Sequence, residues 1–244
     1  MPDSAAAPTP PVEKAGLIED FVDVLFAPAK VFARRAGTSP ALPYIIVCLL
    51  IVGLYLVNRN IMSGIMAGEI QKAMDQAAKQ NPQQFTPEVA ARARGFMETT
   101  FAVGAIVGIP IALLLLGMAT WIVGKILGGT LSFGTALLIS SFAWFPRAVE
   151  AVLNSVQGLL LDTGKMTSHF QIQLGPARFL DPAVAPAWQM GLLGRVDLIT
   201  LWVTVLLAIG LVYAGKVPKG KMVLAGVVMW VVGSLPAIYQ AFKG

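Results

Sequence analysis

The chain has 244 residues and a net charge of +5, with 13% of its side chains charged and 56% hydrophobic. A soluble domain carries about 25% charge, so a water-soluble globular protein is excluded. One cysteine and one histidine exclude an intrachain disulfide and a structural zinc site, and without a Lys/Arg tract the basic balance reads as attraction to anionic lipid headgroups, with no nucleic-acid partner.

Residues 1–16 are rich in Pro and Ala and lack a basic stretch followed by an apolar core. They read as a disordered tail, not a signal peptide. In 17–35, Leu17, Phe21, Val24 and Leu25 recur at helical spacing between Glu19, Asp20 and Asp23, and Pro28 interrupts or restarts the pattern. Lys30, Arg34 and Arg35 follow. This pattern predicts an amphipathic helix on the membrane surface, anchored by Phe21, Leu25, Phe26, Lys30, Phe32, Arg34 and Arg35. The plainer alternative is a helix packed on the end of a bundle.

Long apolar runs follow. Between Arg35 and Arg59 lie 23 uncharged residues, between Glu98 and Lys125 26, between Asp197 and Lys216 18, and between Lys221 and Lys243 21. From Ile126 to Leu161 only Arg147 and Glu150 are charged. A helix crosses a ~30 Å hydrocarbon core with roughly 20 apolar residues. The fold class is therefore an all-α membrane protein with five transmembrane helices, at 41–58, 99–124, 134–161, 196–214 and 222–241, forming one membrane domain from 17 to 244.

Beyond Arg59 the helical pattern continues, with Ile61, Ile65, Met66, Ile70 and Met74 on one face, and stops at Asn81-Pro82. Thr86-Pro87-Glu88 is a helix start: a capping hydroxyl, a first-turn proline and an acid near the positive end of the dipole. The segment 60–98 thus predicts a helical hairpin outside the bilayer, ~30 Å tall if each arm of about 20 residues stands upright. The second span carries Gly104-x-x-x-Gly108, a weak signal in a chain with 24 glycines, and Pro110 predicts a kink. Residues 162–195 form a polar, proline-rich loop in which Phe170–Leu174 alternates, as in a small hairpin or an amphipathic element. Basic residues are concentrated in two short turns (125–133 and 215–221) and one patch before the first span. Their density places the N-terminus in the cytoplasm and the C-terminus outside.

The third span holds the charges that lie deep in an apolar run. Ser140, Arg147, Glu150 and Asn154 share one helix face, which a bilayer does not tolerate against lipid. Arg147 and Glu150 sit at i, i+3 and can pair. One reading is a polar path or cavity; the other is a neutralised pair and an amide that set helix register. Asp197 opens the fourth span, with Thr200 and Thr204 on its face. It can meet Arg147, pair with Arg195 or cap its own helix. No nucleophile–base set, Walker motif or H-E-x-x-H pattern occurs. The chain reads as a non-enzyme without a cofactor, with His169 a solvated loop residue and the tryptophans marking interfaces or packing.

Three pieces carry a resemblance: LFAPAKVF (25–32), GGTLSFGTALLISSFAWFPRAVEAV (128–152) and VDLITLWVTVLLAIGLVYAGKVPKGK (196–221). With their order and the hairpin after the first span, the chain resembles the Yip1-domain membrane proteins, in particular the bacterial branch, from about 20 to 242. The resemblance implies five spans and a cytosolic N-terminus. Eukaryotic relatives act in vesicle traffic, binding Rab GTPases and one another. The short N-terminal tail of this chain departs from their pattern, so small GTPase binding is an expectation by analogy only. The function expected is a scaffold, adaptor or accessory subunit that contacts lipids and other membrane proteins or itself, in a bacterial plasma membrane. The alternative is a small transporter or lipid-moving protein using Arg147 and Glu150.

Overall fold

The computed structural model describes residues 16–80 and 86–242, and these are helical with no strand. The elements are α1 (Leu17–Phe26), α2 (Pro28–Arg35), α3 (Ala41–Asn58), α4 (Ser63–Gln80), α5 (Pro87–Ile126), α6 (Phe133–Trp144), α7 (Pro146–Leu160), α8 (Ala187–Gly194), α9 (Leu198–Tyr213) and α10 (Met222–Ala241). Four stretches are long and apolar enough to cross a membrane: Ala41–Asn58, Ile106–Ile126, Phe133–Leu160 and Lys219–Ala241. The pair α8 and α9, bent by 56°, is the fifth candidate. Most of the disordered tail expected at 1–16, and residues 81–85 at the hairpin tip, lie outside the described residues.

Two local expectations, at Arg59 and at Phe170–Leu174, are corrected, and two spans gain a local detail. The helix does not run on past Arg59, because α3 ends at Asn58 and a turn separates it from α4. The third span breaks at Phe145, ahead of Pro146, which has no N–H to give. The carbonyl this orphans, that of Phe142, accepts instead from the Phe145 N–H at 3.2 Å. The fourth span, expected at 196–214, is matched by α9, which follows α8 across the 56° bend. The alternating Phe170–Leu174 stretch forms a 3-10 turn over His169–Ile172, with Ser168 and Gln171 as a capping box.

α6 and α9 form the centre. Residues 136 to 143 of α6 are all buried, and so are most of α9. Thr120 of α5 and Ser140 of α6 share a buried hydrogen bond of 3.0 Å between these apolar surfaces. The Tyr44 hydroxyl of α3 donates to the Pro110 carbonyl of α5 (3.1 Å), and Asn58 donates to the Ala151 carbonyl of α7 (3.3 Å). The two basic turns are tied at one end of the bundle: Thr130 N–H donates to the Gly215 carbonyl and Lys221 to that of Leu127. Gly128 there has a φ of +89°, which a side chain disfavours.

The N-terminal helices pack one face against the bundle. Phe21, Val24, Val31 and Phe32 are buried in the bundle core. The Phe21 ring sits 4.8 Å from Phe142 and 5.2 Å from Phe145, and Phe32 meets Phe142 edge-on at 6.4 Å. Each buried phenylalanine contributes about 1.5–3 kcal/mol. The outward face of α1 is nevertheless apolar: Ile18, Val22 and Phe26 are exposed at i, i+4, i+8.

α5 has 40 residues, about 60 Å at 1.5 Å per residue, twice the hydrocarbon thickness. Its segment 87–105 precedes the candidate span and projects beyond it. Pro110 lies inside this one continuous helix.

Candidate functional site

Three groups of polar residues stand out. The first is a clasp between α1 and α2. Asp20 is fully buried, and its two carboxylate oxygens pair with Arg34 and Arg35, while Arg34 also reaches Asp23 at 2.6 Å. Burial acts against the Arg34 charge, but the hydrogen bonds and charges of Asp23 and Asp20 overcome it and hold its pKa above the ordinary value. Arg34 and Arg35, expected as headgroup anchors, are thus internally committed. The helix break after Phe26 makes this possible, since it folds residues 34 and 35 back beside residue 20.

The second group is the polar face of the third span. Arg147 donates to Glu150 (2.6 Å) and to the Thr200 hydroxyl of α9 (2.8 Å). Ser140 is not beside them: it lies before the Phe145 break and pairs with Thr120. Asn154 lies one turn beyond Glu150 and accepts from Gln157 at 3.5 Å. Asp197 is buried and caps α9, accepting from the N–H groups of Ile199 (3.0 Å) and Thr200 (3.2 Å), and also from Leu174 (2.7 Å). It forms no ion pair with Arg147 or Arg195. Sequence reasoning treated Arg195 only as a local partner for Asp197. The structure places Arg195 with Arg147 and Thr200 around a cavity of about 430 Å³ between α5, α7, α9 and α10.

The third group joins two segments expected to act separately. α4 of the hairpin docks onto the 162–195 loop. Glu69 accepts from His169 through Nδ1 at 2.5 Å and through its backbone N–H at 3.1 Å. Lys72 donates to the Pro182 carbonyl at 2.6 Å. Gly68 lies so close to the Met166–Thr167 backbone that a Cβ there would collide with it. Burial raises the Glu69 pKa, but hydrogen bonds and charge from His169, with Lys72, prevail and hold it below the usual carboxylate range. His169 is therefore half-exposed but partnered, not simply solvated. No cluster of potential metal ligands occurs among the described residues.

Several apolar helices that bury their charges against one another, with a helical layer projecting from one end, define a multi-pass helical membrane protein. The family model of the Yip1 domain matches residues 22–239, and the chain belongs to the Yip1-domain family. No curated protein and no solved structure matches it.

Proposed function

We propose that this protein is a non-enzymatic adaptor of the membrane, holding another membrane protein or a second copy of itself along α5. The observation that carries this reading is a stripe on the projecting part of that helix. Val89, Phe96, Thr100 and Val103 share one face and are all exposed, Phe96 at 73%. Val89 and Phe96 precede both the expected span 99–124 and the candidate span Ile106–Ile126, and exposed apolar side chains there call for a protein cover. Lipid contact belongs to the same reading: Ile18, Val22 and Phe26, with Lys30 nearby, form an apolar strip suited to the headgroup boundary.

We further propose a bacterial plasma membrane, an N-terminus inside and a C-terminus outside. Single cysteines at Gly220 and Asp75 in a Cys48→Ala background test this: an impermeant maleimide should label only the latter on intact cells. A small GTPase partner is supported by family analogy alone. The test of the adaptor reading is a photo-crosslinker at Phe96 in tagged protein at native expression level, purified in gentle detergent. A discrete crosslinked species that disappears in Phe96→Ser supports it, and protein that elutes alone and uncrosslinked defeats it. The transport alternative needs a polar path, and the cavity at Arg147 is its one point of support.

A further inference from the structure

Two arginines of unequal status face the cavity between α5, α7, α9 and α10. Arg147 has Glu150 and Thr200 as partners. Arg195 has no carboxylate within ion-pair distance among the described residues, and its buried Nε has no hydrogen-bond partner. The neighbouring acid, Asp197, is turned away, its oxygens taken by three backbone N–H groups. A buried N–H without an acceptor is costly, yet the fold is shaped around this side chain. The Arg195 side chain lies against Gly233, where a Cβ would overlap it, and Trp230 of α10 donates to the Arg195 carbonyl at 2.9 Å.

Depth and lining say what acceptor fits. Thr200 lies 13 residues from Tyr213 at the far end of α9, about 20 Å along the axis. Arg195 is further out again. In a ~30 Å hydrocarbon core that puts Thr200 and the Arg147 bonded to it about two-thirds of the way across, with Arg195 nearer the headgroups of the leaflet opposite the two basic turns. Beyond the arginines, Thr200 and Thr204, the lining is apolar, with Leu115, Leu116, Val203, Leu207, Met229 and Val232. Ala112 and Leu115 of α5 and Pro236 of α10 are exposed at its edge, so the cavity opens onto the face that acyl chains cover. Its volume is that of a small-ligand pocket.

We propose that this cavity binds an anionic phospholipid, its phosphate accepted by Arg195 and Arg147 and its chains lying along the α5–α10 opening. Arginine forks suit phosphate oxygens, and the apolar wall selects a lipid over a free anion. The proposal is independent of the adaptor reading, since it uses none of the α5 stripe.

The test uses the full chain, delipidated in detergent and titrated with phosphatidylglycerol, phosphatidylcholine or inorganic phosphate, with native mass spectrometry and thermal unfolding as readouts. The expected result is one tightly retained phosphatidylglycerol that raises the melting temperature, with affinity reduced roughly tenfold or more in Arg195→Gln through loss of a charge-assisted contact. Lys125→Gln, at the opposite end, should bind as the parent does. If Arg195→Gln does not fold, Ala112→Phe, which narrows the opening and keeps both guanidiniums, should lose the lipid. Equal retention of phosphatidylcholine, an unchanged affinity in the folded variant, or full stabilisation by inorganic phosphate alone would overturn the proposal.

Discussion

Arg34 and Arg35 in the N-terminal clasp, and Arg147 and Arg195 around the cavity, are two arginine pairs held inside the same bundle. In the clasp, two carboxylates meet two guanidiniums, and the buried one, Asp20, is shared between both. Around the cavity a single carboxylate, Glu150, serves Arg147, and Arg195 is left with an unmatched Nε. The difference separates a structural use of charge from a receptive one. Charges matched within the chain have no capacity left for a ligand and lock two elements together. A guanidinium left with spare donors beside a cavity keeps that capacity.

The sharpest way to break the comparison is to unbalance the clasp. Asp20→Ala removes the one fully buried carboxylate of the clasp, leaves Arg34 with Asp23 alone and should cost about 1–3 kcal/mol, read as a drop in melting temperature in detergent and exposure of α1 to protease. Undiminished stability would mean that the arginines simply turn to water. Next comes the cavity pair. Arg147→Leu alone leaves Glu150 buried and unpaired and should destabilise by about 1–3 kcal/mol, while Arg147→Leu with Glu150→Leu should recover most of that. Equal folded yields of the single and double variants would remove the pairing argument. Asp197→Ala, which deletes a cap and a bond to Leu174, should cost about 1–2 kcal/mol, with Asp197→Asn recovering part. A helix capped equally well by alanine would contradict this.

Smaller effects belong to the outer layer. The Glu69 carboxyl is held below its ordinary value, so its docking contribution is complete above the unfolded carboxylate pKa. It is lost as pH falls through the lowered folded value. Hydrogen exchange of α4 amides, corrected for intrinsic rate, should therefore quicken as acid is added through that range while the spans stay protected. The change should be no more than about 1 kcal/mol for so open a pair. Arg92→Ala, which removes an exposed pair with Glu88, should leave stability within about 0.5 kcal/mol.

Legibility in the sequence followed range. The spans, the helix start at Thr86 and the N-cap at Asp197 were all readable, because each depends on residues within a turn or two of one another. Thr86 does accept from the Val89 N–H at 3.3 Å, and the Arg147–Glu150 contact is likewise local. The burial of Phe21 and Phe32 was not readable, since a helix with one apolar face looks alike whether that face meets lipid or protein. Nor was the shared cavity, which brings residues 147, 195, 200 and 233 together from α7, the α8–α9 junction, α9 and α10.

The sequence by itself determined that this chain is a multi-pass helical membrane protein and where most of its helices cross. Backbone groups in hydrocarbon have no partner but their own helix, so apolar length alone forces that outcome. Only the tertiary structure decided which charges are spent and which are free. Pairing of buried charge depends on distances of a few ångströms between segments far apart in the chain. Asp20 found two partners there, and Arg195 found no carboxylate.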